Sequence, residues 1–175
     1  MIASNPSVKY GLIAGIGTVA YFLLFYFIRK PLLFNPFVYW ASLGIYLALM
    51  WRALQEEQHA VEAGSTAGER LGFQAALRTA FLVFVIANLS YYLFYYLLYG
   101  LIDPGLIDLQ REVMRESLKN AGKFLSEEQV AQMRESTEGD ALIPTAGKVF
   151  FTFVRSLIGG FLLALGLAAL AARRD

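Results

Sequence analysis

The sequence predicts an all-α integral membrane protein with four transmembrane helices in an antiparallel bundle. Hydrophobic residues make up 57% of the 175 residues, above the roughly 45–50% of a soluble domain, and charged residues only 17%. Four segments are each close to the ~20 apolar residues that cross a ~30 Å hydrocarbon core. These segments are apolar all round, whereas helices of a soluble bundle carry a polar back. We therefore expect residues 1–175 to form a single membrane domain.

Local signals place the ends of the four predicted helices. The first is closed by Arg29 to Pro31, and Pro36 stands at a helix-start position for the second, which ends before Arg52. The third runs from about Leu77 into the aromatic-rich segment before Asp103. The predicted spans are about 10–28, 36–51, 77–102 and 148–172, with polar loops at 52–76 and 103–147.

The first polar loop is expected to continue helix two. It breaks at Gly64 to Gly68 and resumes as a helix from Glu69. In the second loop, Asp103 followed by Pro104 has the pattern of an N-cap with proline at the first helical position.

Short amphipathic helices are expected in the loop between helices three and four. Apolar residues recur there at helical spacing, at Leu106, Leu109, Val113, Met114, Leu118 and Ala121. Ser126 and Gln129 form a capping box for a second short helix that ends near Thr137. These helices either cover the bundle end or membrane surface, which we favour, or form a lid or docking platform for a partner.

Composition and motifs argue against several classes of function. The net charge of +1 provides no basic surplus for nucleic acid, and no cysteine is present for disulfides or thiolate metal sites. His59 lies among glutamines and glutamates and is expected on a solvated helix face, with no metal bound. No predicted span carries Asp, Glu or His, and hydrolase and phosphate-binding motifs are absent. We expect neither an enzyme nor a cofactor.

Small residues at four-residue spacing predict close helix packing, because small side chains let helix backbones approach in lipid. They occur as Gly11 with Gly15, Gly44 with Ala48, and the ladder Gly160, Ala164, Ala168 and Ala172. We expect packing within the bundle, with a homodimer seam as the alternative, for which the last ladder is the better candidate.

Arg155 is the one unambiguous charge within a predicted span. It either snorkels to the membrane interface or joins a buried polar layer that binds an anionic headgroup or carboxylate. Matching depths from the membrane face places Tyr21, Ser42 and Tyr95 near its level. Asn88 is expected to hydrogen-bond across a helix interface, and Tyr92 lies with Tyr95 on a tyrosine-rich face of helix three.

The chain resembles a bacterial four-span inner-membrane family, domain of unknown function 4199. The resemblance is carried by the Tyr99-Gly100-Leu101-Ile102-Asp103-Pro104 segment, by Gly68 to Thr79, and by a glycine-rich last span with a basic end. It implies a bacterial inner membrane with both termini in the cytoplasm. The count of basic residues near the span ends weakly favours the same orientation. The family brings no established activity.

These observations predict a non-catalytic accessory, scaffold or assembly subunit. The alternative is a binder or carrier of a lipid or anionic small molecule that uses Arg155 and the tyrosine face of span three. A membrane enzyme ranks third. The expected partners are the lipid bilayer and a second copy of the chain or a larger membrane complex, with no nucleic acid and no metal.

Overall fold

The computed structural model describes residues 5–64, 71–121, 128, 129, 131, 132 and 142–172. All regular structure in these residues is helical, and four of the helices are long and apolar enough to cross a membrane. The predicted all-α bundle of four apolar helices is thus confirmed. The elements are α1 (Pro6–Ile28), a 3₁₀ helix (Lys30–Phe34), α2 (Pro36–Gly64), α3 (Phe73–Leu97) continued by a π turn (Leu98–Ile102), α4 (Gly105–Ala121) and α5 (Ala146–Ala172).

Several helices begin earlier than the hydrophobic pattern predicts. α1 begins at Pro6 because the side chain of Asn5 accepts a hydrogen bond from the Ser7 amide at 2.9 Å, which satisfies a free N–H of the first turn. α2 runs on through the first polar loop to Gly64, as expected. The predicted chain break after Gly64 and the restart at Glu69 fall on residues 65–70, outside the described part of the chain. Leu71 and Gly72 are described and are not helical, so the prediction of a helix that continues from Glu69 into α3 is wrong.

α3 is the central helix, and it packs against α1, α2 and α5. Glycines set the two closest approaches. A Cβ added to Gly15 would lie 2.7 Å from the Cβ of Ser90, and one added to Gly160 would lie 2.1 Å from the ring of Phe84. α5 is thereby held along α3 and makes few contacts with α2.

Some of the predicted small-residue positions are buried at helix contacts, and others are exposed. Gly11 is buried against Ile86 of α3, and Gly160, Ala164 and Ala168 are buried within the chain. Three of the four residues of the last ladder therefore pack inside the bundle, and Ala172 at its end is exposed. Gly44 of α2, in contrast, is exposed, and no atom lies within 4 Å of an added Cβ. Ala48, four residues further along α2, is also exposed. The prediction that Gly44 and Ala48 pack within the bundle is therefore wrong.

The membrane face that carries the second polar loop is closed by a polar contact. The carboxylate of Asp103 accepts hydrogen bonds from the Lys30 ammonium at 2.5 Å and the Tyr26 hydroxyl at 3.0 Å. The Lys30 ammonium lowers the pKa of the Asp103 carboxyl, and the same contact raises the pKa of Lys30. The two side chains join the end of α1 to the start of α4.

α4 covers this end of the bundle with its apolar stripe, as the amphipathic pattern predicts. Leu106 and Ile107 are buried against Leu33, Leu98 and Tyr99. The helix begins at Gly105 and not at Pro104. Of the second amphipathic helix, residues 128, 129, 131 and 132 are helical, and its other residues lie outside the described ones.

Polar contacts at the opposite face hold the extension of α2 to its neighbours. Lys9 of α1 donates a hydrogen bond to Glu56 at 2.7 Å, and Tyr10 donates to the same oxygen at 2.8 Å. The Leu71 amide, just before α3, donates to Gln58 at 2.8 Å. Both ends of the bundle are therefore held by polar contacts between elements.

Candidate functional site

A cavity of about 400 Å³ lies between α2 and α5, with α3 and one residue of α1 as its floor. We call it the apolar groove. Its volume falls within the 300–1,000 Å³ range of small-molecule sites. It is lined by Phe22, Tyr39, Trp40, Ser42, Leu43, Tyr46, Phe84, Asn88, Tyr91, Ser156, Gly159, Gly160, Leu162 and Leu163.

The apolar groove exists because α5 follows α3 and leaves a gap beside α2. The two sides of the gap are largely exposed: Trp40 on α2 is 68% exposed and Leu162 on α5 is 62% exposed. Gly159 contributes no side chain to close the gap. The helices on both sides of this opening are long and apolar enough to cross a membrane.

Three small polar side chains line the apolar groove. The amide of Asn88 donates to the hydroxyl of Ser156 at 2.6 Å, which joins α3 to α5. The Ser156 hydroxyl in turn donates to the Phe153 carbonyl at 2.6 Å, and Ser42 donates to the Tyr39 carbonyl at 2.7 Å. Hydroxyl donors satisfied in this way can line an apolar cavity at little cost.

A second cavity of about 260 Å³ adjoins the apolar groove toward the face that carries the second polar loop. Tyr39 and Tyr91 line both cavities, so the two are adjacent. We call it the tyrosine pocket. It is lined by Tyr39, Tyr91, Tyr92, Tyr95, Leu142, Ile143, Pro144, Lys148, Val149 and Thr152.

Ring contacts fix the walls of the tyrosine pocket. The rings of Tyr91 and Tyr92 meet edge to face with centroids 5.3 Å apart, and Tyr92 meets Phe153 of α5 at 6.0 Å. Tyr95 packs on Tyr99 at 4.5 Å. The pocket therefore carries several phenol groups at one end, whereas the apolar groove is mostly hydrocarbon.

The first turns of α5 provide the cationic edge of the tyrosine pocket. Lys148 lines the pocket, is exposed, and donates to the Ile143 carbonyl at 3.5 Å. Thr152 donates to the carbonyl of Lys148 at 2.8 Å and lines the same pocket. Within the described residues, no Asp or Glu lines either cavity.

The structure brings together four of the six residues predicted for a ligand site or polar layer. Ser42 and Asn88 line the apolar groove, and Tyr92 and Tyr95 line the tyrosine pocket. Tyr21 lines neither cavity, because its hydroxyl donates to the Val38 carbonyl at 3.0 Å.

Arg155 is exposed and lines neither cavity. The predicted polar layer is therefore not assembled around a buried guanidinium. Its hydroxyl and amide groups line an open groove instead.

Sequence reasoning missed several residues of the site. Tyr39 and Ser156 lie at the junction of helices, and their roles depend on how far α5 stands from α2, which the spacing of apolar residues does not encode. Ser156 could have been found by depth matching, because it is next to Arg155 and lies across from Asn88.

In the described part of the chain, no three His, Cys, Asp or Glu residues lie close enough together to hold a metal ion. His59 is exposed on the extension of α2, and its Nδ1 lies 3.5 Å from the Glu62 carboxylate. Both line a separate cavity of about 260 Å³ at the opposite end of the bundle, beside the end of α5.

Comparison with known proteins identifies a family but no characterised relative. No curated protein and no solved structure matches the chain. The sequence model of a family described as "Protein of unknown function (DUF4199)" matches residues 9–173, nearly the whole chain, in agreement with the resemblance of its motifs. The protein is a member of the DUF4199 family.

Proposed function

We propose that this protein is a non-catalytic membrane protein that binds the acyl chain of a membrane lipid in the apolar groove. The observation that carries the proposal is the groove between α2 and α5, which is apolar within and open on the side where the bilayer lies. A soluble ligand would have to cross hydrocarbon to reach this opening, whereas a lipid diffuses past it.

The dimensions of the two cavities support an amphiphilic ligand. From Lys148 to Leu163, α5 rises about 22 Å at ~1.5 Å per residue. One leaflet of hydrocarbon is ~15 Å thick, so this length covers an acyl chain and part of its headgroup region. The apolar groove suits the chain, and the tyrosine pocket suits the polar end of the same molecule.

The chemistry of the lining supports binding over catalysis. Among the described residues, the two cavities offer hydroxyl, amide and ammonium groups. A hydrolase acting on a lipid needs a positioned acid–base pair or an activated nucleophile. Lipid binding without chemistry also agrees with the accessory role that the sequence predicts, since such a subunit can present or retain lipid for a larger complex.

We place the protein in a bacterial inner membrane with both termini in the cytoplasm. The support is the family resemblance and the basic residues at the ends of the spans on the side of the termini, including Lys9, Arg52 and Arg78. In this orientation the tyrosine pocket faces the leaflet away from the cytoplasm.

Blocking the groove with a side chain tests the proposal. Gly159 lines the apolar groove, and a Cβ built there meets no atom within 4 Å, so Gly159→Leu fills the groove without a clash of its first side-chain atom. Gly166→Leu is the matched control. Gly166 lies two turns further along α5, is equally open, and lines neither cavity.

The measurement is the number of lipids retained per chain by native mass spectrometry after purification in mild detergent. We expect the wild type and Gly166→Leu to retain one lipid and Gly159→Leu to lose most of it. Equal retention by both variants, or no retained lipid in the wild type, would contradict lipid binding in the groove.

A further inference from the structure

We infer that the lipid bound in the groove is anionic, and that Lys148 and Arg155 recognise its headgroup at the mouth of the tyrosine pocket. This inference rests on the proposed lipid binding and deepens it by naming the class of lipid.

Arg155 lies on the same face of α5 as the residues that line the two cavities. The positions Lys148, Thr152, Arg155, Gly159 and Leu162 follow one another at spacings of four and three, which form one stripe of a helix. All but Arg155 line one of the cavities. Arg155 therefore lies at the outer edge of the site, on the side open to lipid.

The direction of helical side chains carries Arg155 toward the headgroup. Side chains of an α-helix tilt toward its N-terminus, so that of Arg155 extends over the turn of Thr152 toward Lys148. α5 begins at Ala146, beside the tyrosine pocket, at the membrane face. An arginine side chain within a span extends toward the membrane interface in this direction. The mouth of the tyrosine pocket lies between Arg155 and that interface.

The electrostatics of the mouth favour an anion. Lys148 and Arg155 supply two positive charges in the first three turns of α5, and Lys148 lines the pocket. The first turn of α5 places the positive end of the helix dipole at the same point. The hydroxyls of Tyr92 and Tyr95 add hydrogen-bond donors suited to phosphate oxygens. A zwitterionic headgroup would bring its own cation into this positive field.

The test compares lipid selection by charge variants. The protein is equilibrated in vesicles of equal parts dioleoyl phosphatidylglycerol and dioleoyl phosphatidylcholine and is then extracted in mild detergent. Native mass spectrometry identifies the retained lipids by the mass that they add to the chain. Lys148→Gln and Arg155→Gln each remove one charge from the mouth. Arg29→Gln is the matched control, because Arg29 is exposed at the same membrane face, after α1, and lines neither cavity.

We expect the wild type and Arg29→Gln to prefer phosphatidylglycerol. Lys148→Gln and Arg155→Gln should each lower that preference about fivefold, the factor for one Lys or Arg at an anionic surface. The charge-conserving Lys148→Arg should keep most of it.

Two results would overturn the inference. One is a wild type that retains both lipids equally; total retention then still supports the groove, so only the headgroup assignment fails. The other is an equal loss of preference in all three glutamine variants, which would indicate general surface charge. A wild type that retains neither lipid would instead overturn the proposed function itself.

Discussion

Asn88 and Ser156 join the central helix to the last one through a hydrogen bond of 2.6 Å between the Asn88 amide and the Ser156 hydroxyl. Asn88 is buried, and both residues line the apolar groove. The contact therefore holds α5 against α3 beside the groove, and it connects the stability of the bundle to the site.

Asn88→Ala should lower the free energy of unfolding by about 0.6–1.7 kcal/mol, the range for hydrogen bonds between membrane helices. Reversible unfolding by SDS in mixed micelles measures it. Ser156→Ala should lower the free energy of unfolding less in the Asn88→Ala background than in the wild type, because the two residues share one contact. Thr152→Ala is the control, because the Thr152 hydroxyl donates to the Lys148 carbonyl of its own helix. Strict additivity of the Asn88 and Ser156 losses would count against the contact.

Gly160→Ala should destabilise the bundle by about 1–3 kcal/mol, because the added Cβ would lie 2.1 Å from the ring of Phe84 and α5 would have to move away from α3. The adjacent Gly159→Ala makes no contact within 4 Å and should leave stability unchanged or raise it slightly. The same SDS titration compares the two. Similar losses in both variants would mean that the α3–α5 approach is looser than the glycine contact implies.

The same glycines show which helix contacts the sequence predicts and which it does not. Length and composition alone predict four apolar helices, because the hydrocarbon core sets a length that each helix must meet. The four-residue spacing of small residues identifies the close contacts at Gly11, Gly15 and Gly160. It does not distinguish them from Gly44, which is exposed, because spacing does not report which face of α2 meets a neighbour.

The candidate site is predictable only in part for a related reason. The polar and tyrosine-rich pattern of span three finds Asn88 and Tyr92. Depth matching finds Ser42 and Tyr95, since residues at one depth in different spans can meet. It misplaces Arg155 and Tyr21, because depth leaves the rotation of each helix undetermined. The groove itself arises because α2 and α5 make few contacts, which no residue pattern in either helix encodes.

Acid should weaken the contact between Asp103 and Lys30. The pKa of Asp103 is lowered by the Lys30 ammonium, so the carboxylate's contribution to stability is present above its unfolded pKa of about 3.9 and is lost as pH falls through its folded pKa. The pKa of Lys30 is raised, so its contribution is lost only at alkaline pH, as pH rises through its folded pKa.

We therefore expect the stability gap between the wild type and Asp103→Asn to be constant near neutral pH and to close below about pH 4. Unfolding in detergent between pH 2.5 and 7 measures this gap. In a Lys30→Gln background, Asp103→Asn should cost less, because the ion pair at 2.5 Å is already absent. A gap that persists unchanged at pH 2.5 would show that the charge of Asp103 does not stabilise this end of the bundle.

Topology can be measured independently of ligand binding. A fluorescent protein fused after Asp175 should fluoresce in a bacterial host, and alkaline phosphatase at the same position should be inactive, because we place both termini in the cytoplasm. Fusions within the loop between α4 and α5 should give the opposite pattern. Active phosphatase at Asp175 would invert the assignment and move the tyrosine pocket to the cytoplasmic leaflet.

The most direct test of the lipid groove is photolabelling in vesicles with a phosphatidylglycerol whose acyl chain carries a diazirine, followed by mass-spectrometric mapping of the labelled peptides. Lipid binding in the groove predicts labels concentrated on α2 near Trp40 to Tyr46 and on α5 near Ser156 to Leu163, removed by excess unlabelled phosphatidylglycerol and by Gly159→Leu but not by Gly166→Leu. Labels spread evenly over the outer faces of all four apolar helices, and unaffected by excess lipid, would contradict the account.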